Sequence, residues 1–261
     1  MIQQDFAEKI KTALREDITV IGLAAAGSWL TDEMDEYSDL DLVVVTRETL
    51  NCDKDKMLNY ANRFGHLISA FTGEHVGEPR LLICLYDEPL LHVDLKFLTL
   101  AEFQLRVEDP VILLDTDDLL LSSIESTVSE FPRPDFQWIE DRFWTWVHYC
   151  LTKIGRGEYF EALDFLASLR GIVFGPLLHL KNNNEPRGLR RVESKLSPDD
   201  FAMLEQTLGS NSKESLMKAL INTVELYRQL RVDLYEGKIQ LNNAAEEVIM
   251  KYFLQINGQK V

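Results

Sequence analysis

Apolar positions recur at helical spacing from the start of the chain. Phe6, Ile10 and Leu14 fall on one side of residues 3–16, which predicts an opening amphipathic helix. The period then changes. Residues 18–26, ITVIGLAAA, form an apolar run that stops at Gly27, the pattern of a buried strand. Residues 29–38 are polar and acidic and predict a loop, and 39–46, DLDLVVVT, alternate acid with leucine before three valines and predict a second strand. Over 53–70, Met57, Tyr60, Ala61, Phe64, Leu67 and Ile68 line one side, which predicts a helix. Two glycines and a proline mark 72–79 as a loop. Strands over 80–86 and 90–97, joined by an Asp87-Glu88-Pro89 turn, follow, then a short helix near 100–107 and a strand at 111–114.

Pro132 and Pro134 interrupt the stretch 126–135, and beyond it only the helical period appears. Helices are expected over 136–154, 158–180, 198–208, 213–235 and 242–254, with no internal repeat and no low-complexity tract. The expected organisation is therefore two domains, 1–130 and 131–261. The expected fold class is α+β: a mixed sheet with flanking helices, followed by an all-α helical bundle.

Composition narrows the compartment and the partners. Of 261 residues 46% are hydrophobic, enough for a core in each half, yet no apolar run is long enough to cross a bilayer, so no membrane partner is expected. Asp5, Glu8 and Glu16 interrupt the opening segment, which lacks the basic start and apolar centre of a signal peptide. Cys52, Cys84 and Cys150 are an odd set without a C-x-x-C pair; a disulfide framework is disfavoured and a reducing cytoplasm is the expected location. The net charge of -16 repels long polyanions, which argues against duplex nucleic acid as a partner and favours cationic small molecules. Taken alone, that acidity is also what solubility requires.

Candidate chemistry gathers on three acids. Asp39 and Asp41 are two apart on an expected strand, so their carboxylates share a face while Leu40 points to the core. Side by side they repel unless cations lie between them, and a pair of Mg²⁺ ions about 3.5–4 Å apart is the arrangement that clamps both oxygens of a phosphoryl displacement. Asp94 is the third acid, in LLHVDLKFL, where His92, Asp94 and Lys96 alternate with Val93, Leu95 and Phe97. On a neighbouring strand it can ligate a metal and accept the proton of an attacking hydroxyl. Gly27-Ser28 follows a buried strand directly; the glycine admits a phosphate to the backbone, and the serine hydroxyl and nearby N–H groups can hold its oxygens.

The run AAAGSWLTDEMDEYSDLDLVVV resembles the signature of the DNA polymerase β-like nucleotidyltransferases. That signature is an apolar strand, Gly-Ser, a spacer near ten residues (here Trp29 to Ser38), then acid-apolar-acid on the next strand. Asp94 matches the family's third acid. A compact nucleotidyltransferase domain followed by a helical bundle is similar to the antibiotic nucleotidyltransferases that adenylylate aminoglycosides and lincosamides. The resemblance is specific over 18–98 and architectural over 135–261. It implies Mg²⁺ held by Asp39, Asp41 and Asp94, ATP or another nucleoside triphosphate as co-substrate, and a small-molecule hydroxyl acceptor. In those enzymes a basic residue of the helical domain contacts the triphosphate. Arg142 and Lys153, with Tyr149, share a face of the helix expected over 136–154 and are the candidates; the competing reading makes them a solvated face paired with Glu140 or Glu158.

Other features are weaker. Arg187 to Arg191 is a second basic cluster, read as a loop-to-helix junction, and Gly155-Arg156-Gly157 follows no strand and is read as a helix break. The five histidines show no metal spacing; His92 shares the strand face of Asp94, in reach to tune it, and a satisfied structural histidine is the favoured reading. No Gly-x-Ser-x-Gly or Walker sequence is present. The expected activity is Mg²⁺-dependent transfer of a nucleotidyl group, adenylyl first, to a hydroxyl of a small, aminoglycoside-like acceptor. Two alternatives stay open: a non-catalytic nucleotide-binding protein of the same fold, and a nucleotidyltransferase modifying a protein or tRNA in a toxin–antitoxin pair. The pattern sets no oligomeric state.

Overall fold

The computed structural model describes residues 1–31, 33–50 and 52–258. The chain divides into two compact units, Met1–Glu130 and Phe131–Val261. The first contains α1 (Ile2–Leu14), β1 (Val20–Ala25), β2 (Leu40–Thr46), α2 (Lys54–Ala61), β3 (His66–Gly73), β4 (Glu78–Asp87), β5 (Leu91–Thr99), α3 (Leu100–Phe103), β6 (Val111–Asp115) and α4 (Leu119–Ser126). Its six-stranded sheet has the order β3-β4-β5-β2-β1-β6. β2 and β5 run parallel and the other neighbours are antiparallel, so the sheet is mixed, as expected.

Period-two burial assigns the two faces. Leu40, Leu42 and Val44 of β2 and Val93, Leu95 and Phe97 of β5 pack with Phe6, Ile10 and Leu14 of α1 and Met57 of α2. Val45 of β2 and Leu98 of β5 face the other way, toward Phe103 of α3 and Leu120 of α4. Asp41 and Asp94 alternate with the first set, so they lie on the second face.

One element departs from the sequence reading. The helix expected over 53–70 ends at Ala61, and His66–Gly73 is an edge strand. Asp53 caps α2 by accepting from the Asp55 and Lys56 N–H groups. At the other end the Tyr86 hydroxyl donates to the Ala61 carbonyl at 2.8 Å. Antiparallel pairing with β4 (Leu67 opposite Tyr86, Ala70 opposite Cys84) then takes residues whose spacing also fits a helix. Glu78 and Pro79, read as loop, begin β4. The pattern also passed over α4, whose first turn is held by the Asp115 carboxylate accepting from the Leu120 and Leu121 N–H groups.

The second unit is entirely helical among its described residues: α5 (Phe136–Arg156), α6 (Tyr159–Leu169), α7 (Gly175–Lys181), α8 (Val192–Lys195), α9 (Pro198–Glu205), α10 (Lys213–Leu234) and α11 (Asn243–Ile256). Asp135 caps α5, which runs through Gly155 and stops at Gly157, a left-handed residue. A single wider π turn, Arg170–Phe174, joins α6 to α7. The resulting helix Tyr159–Lys181 is long and apolar enough to cross a membrane by length and composition alone. Its Ala162, Leu166, Leu169, Val173, Phe174 and Leu177 instead pack into the core of this unit with Phe143, Trp144 and Tyr227.

Glu140, read from sequence as a possible surface partner of Arg142 and Lys153, is fully buried. Its carboxylate accepts from Tyr227 Oη at 2.7 Å, Arg231 Nη2 at 3.1 Å and the Asn242 N–H at 2.9 Å. Arg231 also donates to Glu246 at 2.6 Å, so one network ties α5, α10 and α11 together.

Candidate active site

β1 and β2 deliver the glycine turn and the first acids to one place. The Ala26 N–H donates to the Asp41 carbonyl at 3.0 Å, just past the last paired residues of the two strands. Gly27–Trp29 then forms a single 3-10 turn that begins with Gly27 at φ +63° and buries Ser28. The side chain of Asp41 fills the space beside Gly27: a Cβ there would overlap Oδ2 and come within 2.9 Å of Cγ. Glycine is required twice, by its backbone angle and by this carboxylate. Gly27→Ala is expected to cost about 1–3 kcal/mol in backbone strain and to push Asp41 out of register with its neighbours. Urea unfolding checks the expected loss, and a wild-type unfolding midpoint would refute the assignment.

Asp41 and Asp94 are direct register partners across the parallel β2–β5 pair, so their side chains leave the same face side by side. Asp39 is half-buried at the entry to β2, and its charge is felt at Asp94. Burial first, and Asp39 second, push the Asp94 carboxyl above the usual aspartate range; His92, through its charge and its hydrogen bond, pulls the other way. His92 Nε2 lies 2.9 Å from Asp94 Oδ1, the pairing its position on the strand suggested. Among the described residues no group of three or more His, Cys, Asp or Glu is assembled as a metal site. Asp41 and Asp94 adjoin by strand register, and the charge of Asp39 adds to the upward push on the Asp94 carboxyl. As hard oxygen donors on adjoining strands they suit Mg²⁺ in kind.

A raised carboxyl pKa in the fold has a definite sign. The folded chain holds the Asp94 proton more tightly than the unfolded chain, so this group's contribution to stability is present at low pH and is lost as pH rises through the folded pKa. Asp94→Asn, assayed without divalent metal, is therefore expected to be more stable than wild type at pH 7, with the gain shrinking toward pH 3. Thermal melts across that range check it. A variant less stable at pH 7 would mean that the charge is already compensated.

The remaining candidates have local partners. Lys153 Nζ pairs with Glu158 and Glu161, each at 2.9 Å, and these carboxylates raise its pKa. Arg142 stacks over the Trp138 ring, 4.4 Å from the centroid, and donates to the Trp138 carbonyl. The Glu158 half of the solvated-face reading is thus present in the structure; the Glu140 half is not. Arg187 pairs with Glu185 and stacks on Phe131, and Arg191 leads directly into α8, a loop-to-helix junction as expected.

Sequence reasoning missed Glu108. The Gly27 N–H donates to Glu108 Oε1 at 3.2 Å. Glu108 lies in the connection between α3 and β6, outside every motif, and only the closing of the sheet by β6 beside β1 brings it to the turn.

The profile of the streptomycin adenylyltransferase family matches residues 2–256. No curated protein sequence matches the chain. Among solved structures, an aminoglycoside 6-adenyltransferase from Bacillus subtilis is 19% identical, with 98% of each chain covered and a TM-score of 0.43. A nucleotidyltransferase-like protein from Exiguobacterium sibiricum 255-15 is 16% identical, with 89% of this chain and 77% of that chain covered and a TM-score of 0.39. The spectinomycin adenyltransferase AAD(9) from Enterococcus faecialis, crystallised with ATP and spectinomycin, is 13% identical, with 97% and 98% covered and a TM-score of 0.29. With the glycine turn, the β2 acids and Asp94 all inside a family match that spans nearly the whole sequence, the chain belongs to the streptomycin adenylyltransferase family and is a nucleotidyltransferase.

Proposed function

We propose that this protein transfers the adenylyl group of ATP to a hydroxyl of a small, cationic, aminoglycoside-like acceptor. The observation that carries the reading is the convergence of Gly27, Asp41 and Asp94 on one face of the sheet, within the family match. The net charge of -16 suits a polycationic acceptor. The three cysteines are free, which supports a reducing, cytoplasmic location.

In this reading the first unit is the catalytic domain and the second the helical domain. The Gly27 turn and Ser28 hold the β- and γ-phosphates. Asp39, Asp41 and Asp94 would hold Mg²⁺, which supplies neutralisation of the triphosphate's charge. Asp94, with its pKa raised by burial, takes the proton of the acceptor hydroxyl, and His92 fixes the orientation of its Oδ1. The hydroxyl oxygen forms a bond to the α-phosphorus as the bond to the bridging oxygen breaks, and pyrophosphate departs. Catalysis rests on positioning and charge neutralisation. Arg142 and Lys153, the candidate phosphate contacts of the helical domain, are held by Trp138 and by Glu158 and Glu161 respectively.

The test is turnover. Labelled ATP, Mg²⁺ and a panel of aminoglycosides, with streptomycin and spectinomycin included, are incubated with the protein, and both pyrophosphate and adenylylated product are followed. Pyrophosphate release that depends on one of these acceptors is the expected result. ATP binding without turnover on any acceptor would sink the reading in favour of a nucleotide-binding protein.

A further inference from the structure

The Gly27 turn is occupied from two directions by the protein's own acids: Asp41 fills the space beside its Cα, and Glu108 accepts from its N–H. The second contact is built. Glu108 sits in the segment between α3 and β6, and the neighbouring Arg106, with a side chain only 7% exposed, clamps that segment in place. Arg106 Nε donates to Asp109 Oδ1 at 2.6 Å, Nη2 to the carbonyls of Ile124 at 3.1 Å and Thr127 at 2.9 Å, and Nη1 to the Thr127 hydroxyl. The Glu130 N–H returns to the Arg106 carbonyl at 3.1 Å. These bonds hold the segment beside the Gly27 turn, within reach of the Glu108 carboxylate.

A carboxylate oxygen on a backbone N–H uses the same donor that a phosphate oxygen would use. We propose that Glu108 is a resident competitor of the nucleotide: it holds the Gly27 amide when the site is empty, and triphosphate binding displaces it. The inference rests on the reading above, in which the Gly27 turn receives phosphates. The consequence is selectivity by charge. A weakly charged anion such as chloride or a monophosphate must displace a carboxylate for little return, whereas a triphosphate carries enough charge to do so.

Competition and mere support of the turn make opposite forecasts. Full-length wild type, Glu108→Gln and Glu108→Ala are titrated calorimetrically with MgATP and with magnesium tripolyphosphate, at low salt and near 1 M salt, where the Debye length is about 3 Å. If Glu108 competes, both variants bind both ligands more tightly. The gain for Ala is on the order of tenfold, the scale of one hydrogen bond to a charged group, and it persists at high salt, because loss of a direct competitor is not screened. If Glu108 only supports the turn, Gln leaves affinity unchanged and Ala weakens it, and the proposal is overturned. A gain present at low salt and erased at high salt also overturns it, since that is the mark of distant repulsion. Failure of all three proteins to bind either ligand overturns it as well. The functional reading is judged separately, by wild-type turnover. Turnover with unaltered Glu108→Gln affinity removes only the competitor; tightened binding without acceptor turnover removes only the acceptor.

Discussion

Asp41→Asn is expected to lower kcat/KM for adenylyl transfer by about three orders of magnitude, the scale of several kcal/mol of charge stabilisation in the transition state. The side chain has three simultaneous relations: it fills the space beside Gly27, it leaves the sheet beside its register partner Asp94, and it sits on a strand whose alternate residues, Leu40 and Leu42, are core. Asparagine preserves size and shape. The strand, the Ala26–Asp41 backbone bond and the packing survive, and only the negative charge and its capacity as a hard donor are lost. The variant should therefore fold with an unfolding midpoint close to wild type. Steady-state kinetics beside a thermal melt decide the matter. Activity within tenfold of wild type would remove Asp41 from the chemistry. Asp87→Asn, in the same sheet but beside His66 at the far edge, should leave activity unchanged and controls for a general effect of charge.

The largest expected effect on stability lies far from those acids in the sequence. Glu140→Ala should destabilise the protein by about 3–5 kcal/mol, the cost of removing one member of a buried ion pair. Glu140 has no solvent exposure, and its removal takes the buried carboxylate from the Arg231 guanidinium and leaves the Tyr227 hydroxyl with only the Tyr235 hydroxyl, 3.1 Å away. Arg231 keeps Glu246 at its rim, which holds the effect near the lower end of that range. Urea denaturation measures it directly. The double variant Glu140→Leu with Arg231→Met is the discriminating control: an apolar pair of similar volume should recover most of the loss. A single variant within 1 kcal/mol of wild type, or a double variant worse than the single, would show that the network does not depend on the charge pair.

These two residues also show where sequence information stops. Asp41 was legible because its evidence is local. Period two on a short strand places Asp39 and Asp41 on one face, Gly27-Ser28 stands the right spacer away, and the apolar runs on either side demand buried strands. The same local logic gave the turn between β4 and β5, and the change to helical period past residue 130. Glu140 looked like a solvated acid on a helix because the residues that bury it come from Tyr227, Arg231 and Asn242, far along the chain. β3 was read as helix because Leu67 and Ile68 continue the spacing of α2; pairing with β4 decided otherwise.

The sequence by itself determined five of the six strands, the long helices of the second unit, and the candidates Asp39, Asp41 and Asp94, because side-chain periodicity and glycine's backbone freedom act over a few residues. The tertiary structure decided which acids adjoin. Asp94 faces Asp41 only through the parallel register of β5 on β2, and Glu108 reaches Gly27 only because β6 closes the sheet beside β1. Strand order and register are set by burying both faces of the whole sheet at once, a condition that no local stretch of sequence contains.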